Sequence, residues 1–187
     1  DVTNNSALKY IDCSSNQLTS LSVSQNVSLT ELHCYSNQLT ALDVSKNIVL
    51  TKLHCYSNQL TALDVSKNTA LIELYCYSNQ LTTLDVSKNT ALIYIDCSSN
   101  QLTSLNVKNG KDLATYNFKI NPNLYCILVN SNSSYSNSYK DATAVYNTDC
   151  SYTLIPDINF EKKLISLGID SGTVDGQVPT YKINIIS

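Results

Sequence analysis

The sequence predicts a right-handed solenoid with one strand per coil in a parallel β-sheet on the concave face, mostly turns on the convex face, and little helix. The first observation is an internal repeat, because nearly identical segments recur every 21 residues. These segments begin at Leu8, Leu29, Leu50, Leu71 and Leu92. The second observation is that apolar residues at positions 1, 4 and 6 of each segment alternate with polar ones, which predicts a short strand. Since one coil cannot bury its apolar side chains alone, successive coils are expected to stack around a shared core.

Each repeat reads approximately L-x-x-L-x-C-x-S-N-Q-L-T-x-L-x-V-S-x-N-x-x. This pattern resembles the leucine-rich repeat, L-x-x-L-x-L-x-x-N-x-L, with Cys at the third apolar position, and the resemblance covers residues 1 to about 124. It implies about six coils, with Leu at positions 1, 4, 11 and 14, Cys at position 6 and Val at position 16 pointing inward. A coil of 21 residues is too short for a full convex helix, so we expect extended or turn-like backbone there.

Position 9 carries an Asn in every coil, and the resemblance implies a structural role for it. In leucine-rich repeats this amide turns inward and bonds backbone groups of the bend after the strand. One amide offers both donors and acceptors, which suits backbone groups that have no ladder partner. The predicted ladder consists of Asn16, Asn37, Asn58, Asn79, Asn100 and Asn121. A second column at the opposite corner consists of Asn26, Asn47, Asn68 and Asn89.

The two ends of the chain depart from the repeat. Residues 1–7 match positions 15–21 of a repeat, so the array is predicted to start in mid-coil without a capping unit. We therefore expect a fragment that lacks its cap and signal sequence, with end-to-end self-association through the uncapped N-terminal coil. The predicted segments are the repeat array over 1–124, a flanking loop segment over 125–154, and a segment over 155–187 that contains a short helix and either caps the array or starts a further module.

The helix is predicted near residues 157–167, with Asp157 as N-cap and Gly168 as the stop. Its apolar face is predicted to consist of Phe160, Leu164, Ile165 and Leu167. The sequence I-P-D-I-N-F-E, which begins this segment, resembles the junction between tandem leucine-rich-repeat arrays in Bacteroidetes-type surface proteins. The stretch 170–176 lacks the spacing of a calcium loop and is interpreted as a turn.

Five of the seven Cys residues share position 6 of the repeat. They are Cys13, Cys34, Cys55, Cys76 and Cys97. Neighbouring strands lie ~4.8 Å apart, beyond the ~3.8 Å Cβ separation of a disulfide, so these thiols are predicted to be free and buried. A straight line of thiols does not make a tetrahedral metal site either. In the resembled family a Cys pair links the C-terminal flank, which implies a disulfide between Cys126 and Cys150 and an extracytoplasmic location. The alternative is two unpaired thiols.

Positions 3, 5 and 7 are predicted to face outward on the concave sheet, and the variation between repeats is concentrated there. The candidate ligand-binding residues are Glu31, His33, Tyr35, Lys52, His54, Tyr56, Glu73, Tyr75, Tyr77 and Tyr94. Tyr is a rigid amphipathic contact residue that is common at interfaces, and its flat ring also stacks on sugars. The alternative is that the rings stabilise the sheet as cross-strand pairs. Glu31, Lys52 and Glu73 are expected to form a surface charge ladder worth less than ~1 kcal/mol per pair.

The sequence argues against several other functions. A net charge of −3 without a basic patch argues against nucleic acid, and the absence of a run of about 20 apolar residues argues against membrane insertion. His33 and His54 are too few for a metal site, and an open sheet does not shield a general base from water. The stacked Asp43, Asp64 and Asp85 are interpreted as partners of Lys residues three positions later, with calcium bridging as the alternative. No cofactor, metal or catalysis is expected.

The sequence therefore predicts a non-catalytic binding module that recognises a protein or a glycan through its concave face. We expect it to act in adhesion or in host and surface interaction, as part of a secreted or cell-surface bacterial protein. The alternative is a structural spacer that displays another domain and has no ligand of its own.

Overall fold

The strands that the repeat predicts are present, and they pair in parallel to form a first sheet. A computed structural model describes residue 2 and residues 4–131, 135–150, 152–154, 158–168 and 177–179. The strands of the first sheet, in spatial order, are Tyr10–Asp12 (β1), Glu31–His33 (β2), Lys52–His54 (β3), Glu73–Tyr75 (β4), Tyr94–Asp96 (β6) and Thr115–Asn117 (β8). Each residue pairs with the residue 21 positions later, as Leu32 does with Leu53. The predicted parallel-strand solenoid of about six coils is confirmed.

A second parallel sheet lies on the other side of the later coils. Its strands are Thr83–Asp85 (β5), Ser104–Asn106 (β7), Cys126–Leu128 (β9) and Val145–Asn147 (β10). The sequence predicts turns here, and the earlier coils have no strand at these positions, with a bend just before them and a turn just after. Leu42 and Leu63 of the earlier coils lie buried between two exposed residues, as Leu84 does in β5, so this burial pattern does not determine which coils pair as strands. Strands β9 and β10 lie beyond residue 124 and extend this sheet.

The core is a set of buried columns that run along the solenoid. Leu32, Leu53 and Leu74 lie at the centre of successive strands and are fully buried. The inward positions of the sequence prediction are buried through the central coils, whereas Leu8, Leu18 and Leu21 of the first coil are partly exposed. A central coil is covered by a neighbouring coil on each side, whereas the first coil has a described neighbour on one side only. Its apolar side chains are therefore more exposed.

The position-9 Asn residues form the inward ladder that was predicted. Asn58 is buried, and its amide Nδ2 donates to the carbonyl oxygens of Cys34, Cys55 and Tyr56 at 3.0, 3.1 and 3.3 Å. Its Oδ1 accepts the backbone N–H of Leu39 at 3.0 Å. Each amide therefore joins two coils. Asn37, Asn79, Asn100 and Asn121 repeat these bonds. Asn16 of the first coil is exposed and bonds within its own coil, to Cys13 and Ser14.

The second Asn column also joins coils, but only the Nδ2 group of each amide takes part in hydrogen bonds among the described residues. Asn68 Nδ2 donates to the carbonyl oxygens of Val44 and Asn47 at 3.0 and 2.9 Å. Its Oδ1 is buried and has no hydrogen-bond partner among the residues described, and the same holds for Asn26, Asn47 and Asn89. The two ladders are therefore not equivalent, and the position-9 ladder supplies the more complete set of bonds.

The Cys residues fall into the two predicted groups. The five position-6 thiols are free, four of them are buried, and Cys13 is partly exposed. Burial raises the pKa of the Cys55 and Cys76 thiols well above its usual value, so these groups stay protonated. Cys126 and Cys150 are joined by a disulfide, which links the start of β9 to the segment after β10.

An aromatic cluster closes the Cys column at its C-terminal end. Phe118 takes position 6 in place of Cys and is fully buried. Its ring lies 5.3 Å from that of Tyr116, which in turn contacts Tyr135 and Tyr139 at 5.0 and 5.3 Å. Tyr146 packs on Tyr135 at 5.1 Å. The repeat register thus continues past Leu113, where the sequence pattern fades, because aromatic residues replace the smaller core residues.

The predicted helix is present as Ile158–Ser166 (α1), and a short antiparallel pair, Tyr152–Leu154 (β11) with Gln177–Pro179 (β12), lies nearby in sequence. Gly168 adopts a φ of +69° and donates to the carbonyl of Ile165, as expected of a helix stop. Leu164 is buried, but Leu167 is 56% exposed, so its assignment to the apolar face is wrong: it lies in the turn after the helix. Asp157, the side chain of Phe160 and the stretch 170–176 fall outside the described residues. No helix within the described ranges is long and apolar enough to cross a bilayer.

Candidate functional site

Two columns of rings stand on the outward face of the first sheet, at positions 5 and 7. In-register parallel pairing places each side chain beside its equivalent one coil away. At position 7, Tyr35, Tyr56 and Tyr77 stack with centroid distances of 4.4 and 4.3 Å and interplanar angles of 8° and 9°. At position 5, His33 stacks on His54 at 4.4 Å and 11°. We call these two columns, which run from His33 to Tyr77, the aromatic stripe.

The position-5 column continues with less parallel rings. His54 lies 4.7 Å from Tyr75 at 32°, and Tyr10 meets His33 edge-on at 5.3 Å. Aromatic pairs of this kind contribute about 0.5–1.5 kcal/mol each beyond the area that they bury. The stripe is therefore an ordered surface, and its rings are held in place before any ligand arrives.

The environment of Tyr56 shows how closely the rings pack. Its ring is covered on both faces by Tyr35 and Tyr77. Burial, assisted by these two neighbours, raises the pKa of Tyr56 to about 12. Its hydroxyl therefore stays neutral over the physiological pH range and remains available to donate and accept hydrogen bonds.

Charged residues of position 3 flank the stripe, but they do not form the predicted three-member ladder. Lys52 Nζ lies 3.8 Å from Glu31 Oε1. Glu73 Oε2 lies 3.5 Å from His54 Nε2 instead, a distance longer than an ordinary N–H···O hydrogen bond. Positions 3 and 5 share one face, so a diagonal contact between neighbouring strands was available to sequence reasoning.

The two imidazoles are partly desolvated. Burial and the neighbouring His33 lower the pKa of His54, against an opposing effect of Glu73. The Nε2 atoms of His33 and His54 are both buried and make no hydrogen bond within the described part of the chain. Among the same residues, no group of three or more His, Cys, Asp or Glu side chains is placed to hold a metal ion.

The ring columns end at the fifth coil, and a hollow lies there. Position 5 becomes Asp96 and position 7 becomes Ser98, so ring stacking stops beyond Tyr75 and Tyr77. The hollow has a volume of about 420 Å³, and its lining includes Tyr75 and Tyr77 of the fourth coil, Asp96 of the fifth, and Tyr116 and Asn117 of the sixth. Tyr94, the last of the predicted site residues, lies at position 3 of the same coil and is half-buried.

A second cavity lies on the other face of the solenoid. It has about 480 Å³ and is lined by Asp85, Asn106, Tyr125 and the Cys126–Cys150 disulfide. Asn106 already donates to Asp85 at 3.3 Å. It is the larger of the two, but Tyr125 is the one aromatic ring in its wall, whereas several stripe residues line the first-sheet hollow.

The outward Asp column on the second side has a local role. Asp43, Asp64 and Asp85 each accept the backbone N–H of the Ser two residues later, at 2.8, 2.8 and 2.7 Å. These bonds lower the pKa of Asp43 and Asp64. The carboxylates thus hold the turn that follows them, and this feature was missed by an interpretation based on Lys partners alone.

Comparison with known proteins identifies solved structures of the same architecture, among them the two described below. No protein-family model and no curated protein matches the chain. The functional domain of InlJ from Listeria monocytogenes, which includes a cysteine ladder, superposes with a TM-score of 0.63 at 33% identity over 78% of this chain. A leucine-rich-repeat protein of Leptospira interrogans superposes with a TM-score of 0.59 at 19% identity over 89% of this chain. The match covers 35% of the first structure and 42% of the second, so the chain spans less than half of either.

Proposed function

We propose that this chain, a 21-residue-repeat solenoid that matches the solved leucine-rich-repeat structures, is a non-catalytic binding module that recognises a protein or a glycan through the aromatic stripe. Repeat proteins of this type commonly serve in protein binding. The observation that carries the proposal is the row of rings stacked at 4.3–4.4 Å on an outward face. Such a row offers a broad amphipathic contact surface.

Pre-ordering is the physical reason why this surface suits binding. Immobilising a flexible side chain in an interface costs about 0.5–1.5 kcal/mol. Tyr56 is held by rings on both of its faces before binding, so most of that cost has been met during folding. Glu31, Lys52 and Glu73 stand at the edge of the rings and supply a polar rim.

Support for a non-catalytic role comes from the shape and chemistry of the face. The stripe is an outward sheet surface, whereas a general base needs a defined position against an enclosed substrate. His54 faces Glu73 and stacks on His33, and both contacts are explained by the packing of the sheet.

Adhesion or surface recognition on a secreted or cell-surface protein is the setting that we propose. The Cys126–Cys150 disulfide supports it, because disulfides persist in oxidising, extracytoplasmic compartments. The bacterial origin and the Bacteroidetes-type junction remain proposals that rest on sequence resemblance. We likewise propose end-to-end self-association through the first coil and segment boundaries at 124 and 154, and the spacer role is the alternative function.

The deciding experiment compares three forms of the chain on arrays of purified glycans and purified extracellular proteins. The test variant carries Tyr35→Ala, Tyr56→Ala and Tyr77→Ala together. The matched control carries Ala at the three exposed Lys residues of the opposite side, Lys46, Lys67 and Lys88. We expect the Tyr variant to lose array binding and the Lys variant to keep it, with both still folded by circular dichroism. Absence of binding by all three forms would support the spacer alternative, and equal binding by all three would mean that the stripe is not the binding surface.

A further inference from the structure

Both ring columns of the stripe stop at the same coil and leave two ring faces uncovered by aromatic partners. Tyr56 covers one face of Tyr77, and the next residue in that column is Ser98. His54 lies against one face of Tyr75, and the next residue in that column is Asp96. The stacking distance of 4.3–4.7 Å within the columns is the space that one further ring would need on each.

The hollow beside these faces is an open depression that extends to the next strand. Its lining includes Asn117 and Tyr116 of β8 and the buried Ile95 of β6. Its volume of about 420 Å³ falls in the range of roughly 300–1,000 Å³ that is usual for small-molecule sites. The stripe therefore ends beside a shallow, open hollow of sufficient size for one sugar ring.

The polar groups of the hollow are a fixed acceptor and a fixed donor side by side. Asp96 Oδ1 accepts the Ser98 backbone N–H at 2.9 Å and the Ser98 hydroxyl at 2.6 Å. Asp96 Oδ2 accepts Asn117 Nδ2 at 3.2 Å. A carboxylate oxygen has a second lone pair and an amide nitrogen has a second N–H, so each group of this pair retains capacity for a ligand. Two neighbouring hydroxyls of a sugar ring match this pair, because one can donate to the Asp96 carboxylate while the other accepts from the Asn117 amide.

The other end of the stripe has the same polar pair without the hollow. Asp12 Oδ1 accepts from the Ser14 backbone and hydroxyl at 3.0 and 2.6 Å, as in the Asp96–Ser98 pair. There β1 is the edge strand of the sheet, and Tyr10 reaches across to Asp12 at 3.2 Å. The Asp12 end therefore serves as a control for what the neighbouring strand β8 adds beside Asp96.

We infer that the hollow between Tyr75, Tyr77 and Asn117 binds one pyranose ring of a carbohydrate, with its apolar face on the Tyr rings and its hydroxyls on Asp96 and Asn117. This inference rests on the proposed function and names its ligand chemistry. A peptide aromatic ring would fit the Tyr faces equally well. A Phe ring would cover the Asp96 carboxylate without offering a donor, and a Tyr or Trp ring would offer a single donor and no acceptor pair matched to Asp96 and Asn117; leaving a charged group desolvated and poorly paired is costly.

Saturation-transfer NMR with simple methyl pyranosides tests the assignment. The probes are the methyl glycosides of glucose, galactose, mannose and N-acetylglucosamine, each added to the intact chain. The blocking variant is Ser98→Tyr, which extends the position-7 column into the hollow, and its matched control is Ser14→Tyr at the other end. A second pair, Asp96→Asn and Asp12→Asn, removes the charge with little change in shape and guards against misfolding of the Tyr variant.

We expect at least one glycoside to show saturation transfer to its ring protons. Its affinity should fall about tenfold or more with Ser98→Tyr and with Asp96→Asn, the loss of one stacking or hydrogen-bond contact, and stay unchanged with the two control variants. The inference is overturned if no glycoside binds, or if the variants at residues 12 and 14 weaken binding as much as those at 96 and 98. If glycosides fail but array binding still depends on the three stripe Tyr residues, the proposed function stands and the pyranose site does not.

Discussion

Replacing Asn58 by Ala tests whether the position-9 ladder holds neighbouring coils together. Loss of the amide removes three donated bonds and one accepted bond. The carbonyls of Cys34 and Cys55 each keep another Asn donor, from Asn37 and Asn79 respectively. The backbone N–H of Leu39, a fully buried residue, loses the acceptor that Asn58 Oδ1 provides.

The size of the effect follows from that count. A buried donor left without a partner costs about 1–3 kcal/mol, and losing neutral bonds whose partners stay satisfied costs up to about 1 kcal/mol more. We therefore expect Asn58→Ala to lower the free energy of unfolding by about 1–4 kcal/mol. Asn16→Ala is the matched control, since its amide is exposed and water replaces its bonds, and it should cost less than about 1 kcal/mol.

Urea denaturation followed by circular dichroism measures both changes, and hydrogen exchange at the Leu39 amide locates the effect. Exchange should speed up at Leu39 in Asn58→Ala and stay slow in Asn16→Ala. Hydrogen exchange is needed because repeat arrays unfold with limited cooperativity, so that a single midpoint does not always report the whole chain. If the two variants lose the same free energy of unfolding, the stabilisation does not come from the buried, coil-joining hydrogen bonds of the position-9 ladder, and the reasoning is refuted.

Three further outcomes are expected. Replacing Cys126 and Cys150 by Ser should lower the free energy of unfolding by about 3 kcal/mol, from the entropy of a 24-residue loop, as measured by urea denaturation against the oxidised parent. The folded-state pKa of His54 lies below its unfolded value, so the stability that the neutral imidazole contributes should be complete above about pH 6.5 and decline as the pH falls towards the folded pKa. His54→Asn should flatten this part of the plot of urea midpoint against pH. An unchanged plot would contradict the role assigned to His54. Iodoacetamide should label Cys13 first in the native chain, and the buried thiols should react after unfolding. Mass spectrometry of the digested chain measures the order of labelling, and rapid labelling of Cys55 in the native chain would contradict the prediction.

Much of the fold was predictable because the repeat constrains it strongly. A period of 21 residues determines which side chains share a column, so the burial of Leu53 and the stacking of Tyr35 on Tyr56 follow from the sequence. The amide chemistry of Asn58 follows for the same reason, since a repeated bend has the same unpaired backbone groups in every coil.

What the sequence did not predict lies where the repeat is broken or where a side chain has a choice of partner. The contact of Glu73 with His54, and not with Lys52, depends on side-chain rotamers that spacing does not determine. Phe118 and Tyr116 occupy core positions where the consensus has Cys and Leu. The sequence therefore did not show that the repeat register continues through this coil. The hollow at Asp96 combines both effects, because it requires the end of the ring columns and a wall from the next, aberrant coil.

Hydrogen–deuterium exchange of the chain with and without a ligand from the arrays tests the central claim most directly. The account predicts slower exchange over residues 31–35, 52–56 and 73–77, the strands and following residues that carry the stripe. It also predicts unchanged exchange over 41–46 and 62–67 on the opposite side. Protection confined to the opposite side, with the stripe strands unaffected by a bound ligand, would contradict the assignment of the aromatic stripe as the binding surface.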